Sequence, residues 1–309
     1  MKEFFTVAVL VGIAHSGIRL AAPYLFASLG EMVGQLSGVL NLGVDGIMLM
    51  GAFAAFYVVF MTGNLWLGLL AALVVGALMG LLMALVSVTM GAEQGISGIG
   101  LYLFGLGLSS LLFKTMIGSV ESVSGFSTLN IPVLSNIPII GPIFFDHSVV
   151  VYLAYLMAPV SWYLINRTTL GLKIRAAGQN PEAADSLGVS VNGVRYFTVI
   201  YGSAMAGIAG AALSIGLLNV FQENMTNGLG FIAVALVYFG GWRPFGILAG
   251  ALLFSTVNAL QLWAQVLGIG IPSDLAVMLP YVLTIVALAF AVRQVRQPAA
   301  LTKPFERGE

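Results

Sequence analysis

From Gly46 to Ala92 the chain carries no charged side chain, and that interval fixes the solvent in which this molecule folds. A helix crossing the roughly 30 Å of a bilayer's hydrocarbon needs about 20 mostly apolar residues. The interval therefore holds two crossings, divided by the turn signal Gly63-Asn64. Further apolar intervals at 94–113, 147–166, 196–218, 244–266 and 275–292 each suit one crossing, 231–239 suits a shorter one, and 4–29 opens the series. Together they predict an all-α polytopic transmembrane bundle of nine spans, with broken or re-entrant helices, in one domain over 1–309.

Composition agrees. The chain is 59% hydrophobic and 8% charged, whereas soluble domains carry about 25% charge. Its formal net charge of +0 argues against nucleic acid as a partner. With no cysteine, disulfides and thiolate metal sites are excluded, and the residues suggest neither a metal site nor a catalytic set. The opening stretch "MKEFFTVAVLVGIAHSGIRL" lacks a clean small-residue cleavage site. It reads as part of the first membrane helix rather than a removed signal.

Pro132, Pro138 and Pro142 punctuate another charge-free stretch. Proline removes a backbone donor and breaks helices, and lipid does not tolerate unpaired backbone. The segment 117–147 is thus predicted to be an extracytoplasmic loop, partly buried or re-entrant, covering one mouth of the bundle. Cytoplasmic loops collect Lys and Arg. Arg167, Lys173, Arg175 and Arg195 flank or occupy one loop, Arg243 sits in a short turn, and Arg293, Arg296, Lys303 and Arg307 lie in the tail 293–309. These segments are predicted to share the cytoplasmic side, which places the N-terminus outside. Lys114 is the exception, expected to snorkel to the outer headgroups. Small residues at helix-contact spacing, such as Gly76/Gly80, Gly246/Gly250 and Ala206/Gly207/Gly210, predict close helix packing.

The loop 167–195 contains a short polar helix, "NPEAADSLG". Asn180 can cap it, Pro181 suits its first position, Glu182 complements its positive end and Gly188 supplies a left-handed stop. About seven residues are too few for a helix to persist alone in water. Tertiary support or a partner must hold it, and Ala183, Ala184 and Leu187 form an apolar face suited to a groove. On these residues alone, a solvated loop that happens to be helical is an equal reading.

"GLKIRAAGQNPEAADSLGVSV" resembles the cytoplasmic coupling loop of ABC-importer permeases, with Gly178 after an alanine pair. "SGVLNLGVDGIMLMGAFAAF", "EQGISGIGLYLFGLGLSSLL", "GLGFIAVALVYFGGWRPFGILAGALLF" and "IPSDLAVMLPYVLTIVALAF" are similar to the branched-chain amino acid, ribose and nucleoside group of those permeases, and most to its nucleoside type. The resemblance covers most of the chain in order; Asp45 departs from an expected Glu but keeps the charge. It implies an importer of nucleosides, or of simple sugars, in the cytoplasmic membrane. It also implies a second and different permease chain, a cytoplasmic ABC ATPase that uses ATP and Mg, and an extracytoplasmic substrate-binding protein. ATPase coupling would fall to Arg175, Gly178, Asn180, Pro181, Glu182, Ala183, Ala184, Leu187 and Gly188. The residues agree independently that this chain binds no nucleotide cofactor. The one Lys followed by Ser or Thr is Lys114, preceded by Phe113, so no phosphate-cradling G-x-x-x-x-G-K-[ST] exists.

Ionisable and amide groups within spans are the candidates for a solute pathway. Asn41 and Asp45 stand beside Gly43 and Gly46, either lining the path or pinning a bent segment, with Asp45 able to cap the helix it opens. Gln94 and Ser97 lie in a glycine-rich helix start, where transporters place substrates at helix breaks; interhelical contact is the plainer role. Asn227 belongs to a polar outer segment with Asn219, Gln222, Glu223 and Asn224, a mouth or a solvated loop. Asn258, Gln261 and Trp263 bring amides and an aromatic ring into a late span, for a ligand or as an interfacial anchor. Arg19, mid-helix, should meet a carboxylate or backbone carbonyls.

Two other classes fit less well. "GISG" at 95–98 is similar to the serine motif of rhomboid proteases, but that chemistry needs a histidine beside the serine, and the two histidines, His15 and His147, lie in other segments. An ion-coupled secondary transporter would show a denser relay of intramembrane carboxylates than Asp45 and Glu93.

Overall fold

The architecture follows from where helices can start and stop in an apolar chain. The computed structural model describes residues 6–130, 132, 134–135, 137–267, 278, 282, 285–286, 289 and 297–306. Seven helices among them are long and apolar enough to cross a membrane. α1 runs over Val7–Leu36, α2 over Val44–Thr62, and α3 over Leu65–Ala84, which continues as a π-helical turn to Thr89. α4 covers Gln94–Met116 and, after the outer loop with its small helix α5 (Ile140–Phe144), α6 covers Val149–Arg167. Two shorter helices follow, α7 (Thr169–Gln179) and α8 (Pro181–Ser186). The long α9, Val191–Ala211 with a π-helical extension to Leu218, precedes α10 (Leu229–Phe239) and α11 (Pro244–Val266). The predicted span at 275–292 falls almost wholly outside the described residues, as do Arg293, Arg296 and Arg307.

Local chemistry sets the helix starts. The Asn64 side chain accepts the N–H groups of Trp66 and Leu67 to begin α3, and Glu93 accepts those of Gly95 and Ile96 to begin α4. Those donors hold the Glu93 carboxyl below its ordinary range, Ile96 contributing most. Pro244 occupies the first position of α11, where its missing donor costs nothing. Two expectations change. α1 extends seven residues beyond the predicted end at 29 and so carries Glu31 and Gln35 inside the bundle. The short segment near 231–239 is an 11-residue helix, about 16 Å long, too short to cross the hydrocarbon alone, so the irregular stretch 219–228 makes up the rest of that passage.

α9 is the hub, packed on α1, α2 and α3 through residues without side chains. A methyl group at Gly207 would be driven into the Ala72 carbonyl, and one at Gly210 into the Met48 carbonyl. Helices in lipid gain no hydrophobic drive against one another, so this backbone-to-backbone contact supplies the dispersion that holds the bundle.

The chain sorts its termini cleanly. α1 begins beside the outer loop, where His15 Nδ1 lies 2.8 Å from the Pro142 carbonyl. It ends against α7, where Gly178 abuts the Leu36 carbonyl. The outer loop is tied by a short antiparallel pair, Thr128–Asn130 with Asp146–Ser148, and by a bridge from Ser122 to Val220. Arg167, Lys173, Arg175, Arg195, Arg243 and Lys303 all lie at the α7–α8 end of the bundle, the end expected to be inner, away from the outer loop. Lys114, at the outer end, does not snorkel alone; its Nζ pairs with Glu223 at 3.2 Å. Arg195, expected at the end of the loop 167–195, lies instead in the first turns of α9 and is only 1% exposed.

Gly207→Val will destabilise the bundle by about 1–3 kcal/mol, the usual penalty for overpacking. Gly107→Ala, at an exposed site with nothing within 4 Å of the added carbon, will change it by less than about 0.5 kcal/mol. Thermal unfolding of the two purified variants in detergent measures the difference.

Candidate functional site

Two helix breaks meet inside the bundle. The first spans 37–43, between α1 and α2, where Gly38 takes a φ of 98°. Its freed backbone donors are met one by one. Leu40 N–H donates to Gln94 Oε1 at 2.8 Å, Asn41 N–H to Glu31 Oε1 at 3.0 Å, and Gly43 N–H to Asn41 Oδ1 at 2.8 Å. Glu31 also accepts from Gln35 Nε2 at 3.0 Å, and Gln35 Oε1 accepts from Trp242 Nε1 at 2.9 Å. Ser37 and Thr198 hydroxyls lie 2.7 Å apart and tie the break to α9.

The second break is 219–228, which returns from the outer end of α9 to the start of α10. Asn219, Asn224, Asn227 and Gly228 all have positive φ, which asparagine and glycine tolerate. This segment docks on Asp45. Gly230 N–H donates to Asp45 Oδ1 at 2.7 Å, and the Thr226 hydroxyl donates to Oδ2 at 2.9 Å. Asp45, fully buried, therefore does not cap its own α2, whose N-cap Gly43 makes no side-chain bond. It caps α10 across the break, so one carboxylate faces the positive ends of two helices at once.

The structure thus brings Asn41, Asp45 and Gln94 into one polar node, with Asn227 adjacent to it in sequence but exposed. Ser97 stays apart, its hydroxyl turned back to the Glu93 carbonyl at 2.7 Å beside a 260 Å³ apolar cleft between α3 and α4. Asn258, Gln261 and Trp263 lie elsewhere again. Trp263 packs on Gly12 and donates from Nε1 to Ser16 Oγ at 3.2 Å, so its ring fills a helix–helix contact rather than a ligand site. Ser16 and Glu31 stand about 22 Å apart along α1, at 1.5 Å per residue.

Sequence reasoning missed Glu31, because the first span was ended before it. The clue was "GEMVGQL", a Glu–Gln pair at four-residue spacing ahead of the glycine and serine of the break. Glu93, counted as a second intramembrane carboxylate, is exposed at the inner end of α4. His15 and His147 stack with ring centroids 4.5 Å apart under α5, at the opposite end from Ser97, which disposes of the protease reading. Arg19 donates to the Leu217 carbonyl at 2.7 Å, where the π-helical turn leaves carbonyls available.

At the inner end, α7 is amphipathic, with Ile174, Ala177 and Gly178 buried and Lys173 and Arg175 exposed. Asn180 Oδ1 accepts the Ala183 N–H at 3.0 Å to start α8 behind Pro181. Gly188, at φ 82°, ends it with the paired bonds Val189 N–H to Ala184 O and Gly188 N–H to Asp185 O. The expected apolar face is split. Ala184 points into the core, whereas Glu182, Ala183 and Leu187 face outward, Leu187 being 85% exposed.

Residues 13–288 match the family model described as branched-chain amino acid transport system / permease component. The chain is 37% identical to TsgC13 of Haloferax volcanii, assigned as a glucose ABC transporter permease protein, over 96% of this chain and 98% of that one. It is 33% identical to the guanosine ABC transporter permease protein NupQ of Bacillus subtilis, over 98% and 99% of the two chains. Identity to the nucleoside ABC transporter permease protein NupC of Lactococcus lactis is 35%, over 91% and 92%. No solved structure matches.

Asp45→Ala will leave the Gly230 and Thr226 donors unmet in the interior and cost about 1–3 kcal/mol per group. Asp45→Asn, which keeps one acceptor, will recover part of that loss. Unfolding midpoints of the two variants in detergent, taken against the unaltered chain, give the order.

Proposed function

We propose that this chain, which belongs to the permease-component family of branched-chain amino acid transport systems, carries a nucleoside inward as the membrane-spanning subunit of an ATP-binding cassette importer. The observation that carries the reading is Leu187. A six-residue helix is stabilised by an asparagine cap and a glycine stop, is anchored through Ala184, and holds a nearly bare leucine at the inner end of the bundle. Single exposed apolar residues are ordinary, but a helix this short is not kept by its own propensity. A cytoplasmic ATPase subunit, using ATP and Mg, would cover it. Arg175, Asn180, Pro181, Glu182, Ala183, Leu187 and Gly188 form that coupling surface, while Gly178 and Ala184 seat it on α1 and the core.

The rest of the assembly follows from the same reading. A second permease chain completes the pathway, and an extracytoplasmic binding protein delivers solute to the end closed by 117–147. Asn41, Asp45 and Gln94 serve as the hinge of the gate, holding the two breaks that must shift when the pathway opens. Asn227 stands at the outer approach, and Asn258 and Gln261 lie on α11 apart from that node. The guanosine and nucleoside permeases among the relatives support a nucleoside cargo. The glucose permease relative favours a second reading, a simple sugar, which shares with a nucleoside the hydroxyl-bearing ring.

Reconstituted with its ATPase, partner permease and binding protein in proteoliposomes, the chain will accumulate labelled guanosine only with internal ATP and Mg. Uptake of glucose in place of guanosine selects the sugar reading, and uptake driven by an ion gradient without ATP overturns the importer. Replacing Pro181 and Ala184 together by glycine will abolish ATPase co-purification while the bundle stays folded.

A further inference from the structure

The inner end carries a strap that none of the coupling residues accounts for. The segment 297–306 lies across three elements and bonds to each through its backbone. Ala300 N–H donates to the Gly178 carbonyl at 2.9 Å, and Thr302 N–H to the Gly38 carbonyl at 3.1 Å. The Lys303 carbonyl accepts from Arg195 Nη1 at 3.0 Å, while Arg195 Nε donates to the Ser37 carbonyl at 3.2 Å. One decapeptide thereby staples the end of α7, the first helix break and the start of α9. Its Ala300 and Leu301 are buried, and Gly38 leaves no room for a side chain against Ala300 and Arg195. A guanidinium taken out of water needs acceptors, and the strap supplies one of the two that Arg195 uses.

Beyond Lys303 the strap turns outward and runs beside α8. It makes the second wall of a 390 Å³ cleft whose first wall is the start of α8, with Glu182 on one side and Glu306 on the other. Phe305 separates this cleft from a second, of 210 Å³, floored by Gly188, Val189 and Asn192. Both clefts open at the inner end beside the exposed Leu187. Two carboxylates, Glu182 and Glu306, face one ammonium, Lys303, around the larger cleft, so its rim is complementary to a cation.

We propose that 297–306 and α8 form one composite docking surface for the ATPase subunit, in which the strap fixes the position of α8 and, through the larger cleft, receives a basic side chain of that subunit. The proposal rests on the coupling assignment made above. It commits the interface to two separated stretches of chain and makes the strap the link between the motor-facing helix and the first helix break.

The test uses the assembled transporter in detergent and in proteoliposomes. Glu182→Lys with Glu306→Lys will lower ATPase co-purification at low salt at least tenfold. Phe305→Ala will lower it severalfold, and removal of residues from 297 onward will abolish it together with uptake. The charge and aromatic variants alter exposed or half-exposed side chains, so they report even if the truncated chain fails to fold. If Glu182→Lys/Glu306→Lys and Phe305→Ala retain full association and uptake while the Pro181/Ala184 glycine variant loses both, the composite surface is wrong and the coupling helix stands. If the glycine variant also retains both, the coupling assignment itself falls.

Discussion

Breaking a helix inside hydrocarbon frees backbone N–H and C=O groups that have no water to turn to, and each one left unpaired costs several kcal/mol. This molecule makes two such breaks side by side, and everything else in its interior is arranged to accommodate them. Glu31, Gln94 and Asn41 each accept a backbone donor from 37–43, and Asp45 accepts one from the start of α10. Glu31, Asn41, Asp45 and Gln94 thus have a structural task inside the bundle. They substitute for the helix hydrogen bonds that were given up.

That substitution explains why α9 must be glycine-rich. The breaks interrupt the chain ahead of α2 and of α10, so the bundle needs one long column to pack its helices against. α9 provides it, and packing three helices around a fourth in lipid requires their backbones to touch. Gly207 against Ala72 and Gly210 against Met48 give that contact. The pinned breaks and the glycine column are therefore parts of one solution, in which the helices touch at α9 and the backbone is interrupted away from it.

How much of this was legible before the structure follows from the range of each signal. Helix positions came through because charge-free length is a local property, and α8 came through to its cap and stop because Asn180, Pro181 and Gly188 act within a few residues of themselves. The long-range partners did not. Nothing near Asp45 in sequence says that its carboxylate reaches Gly230, since that bond joins segments 185 residues apart. Glu31 escaped because a charge was taken as the end of a span, whereas the donors Asn41 N–H and Gln35 Nε2 let α1 carry it inside. Trp263 looked like a ligand platform because aromatic rings beside amides suit a base, yet its ring was already committed to the groove at Gly12. Arg195 was counted as a loop charge because the carbonyls that bury it lie at Ser37 and Lys303.

These misplacements share a cause that bears on mechanism. Trp263 apart, whose joint to Gly12 lies at the other end of α1, the long-range joints follow one another along one path. Gly178 abuts the end of α1, Arg195 and the strap bond to Ser37 and Gly38, Asn41 returns to Glu31, and Asp45 holds α10. α1 carries both Glu31 and the end that α7 touches, and a helix resists bending more than a loop does. A displacement of α7–α8 by an ATPase would thus be delivered to 37–43 before it could dissipate in the spans. From there Asp45 would pass it to α10, because two hydrogen bonds to one buried carboxylate break together or move together. The physical demand that no backbone group go unpaired in lipid is, on this route, what makes the proposed coupling stiff enough to transmit work.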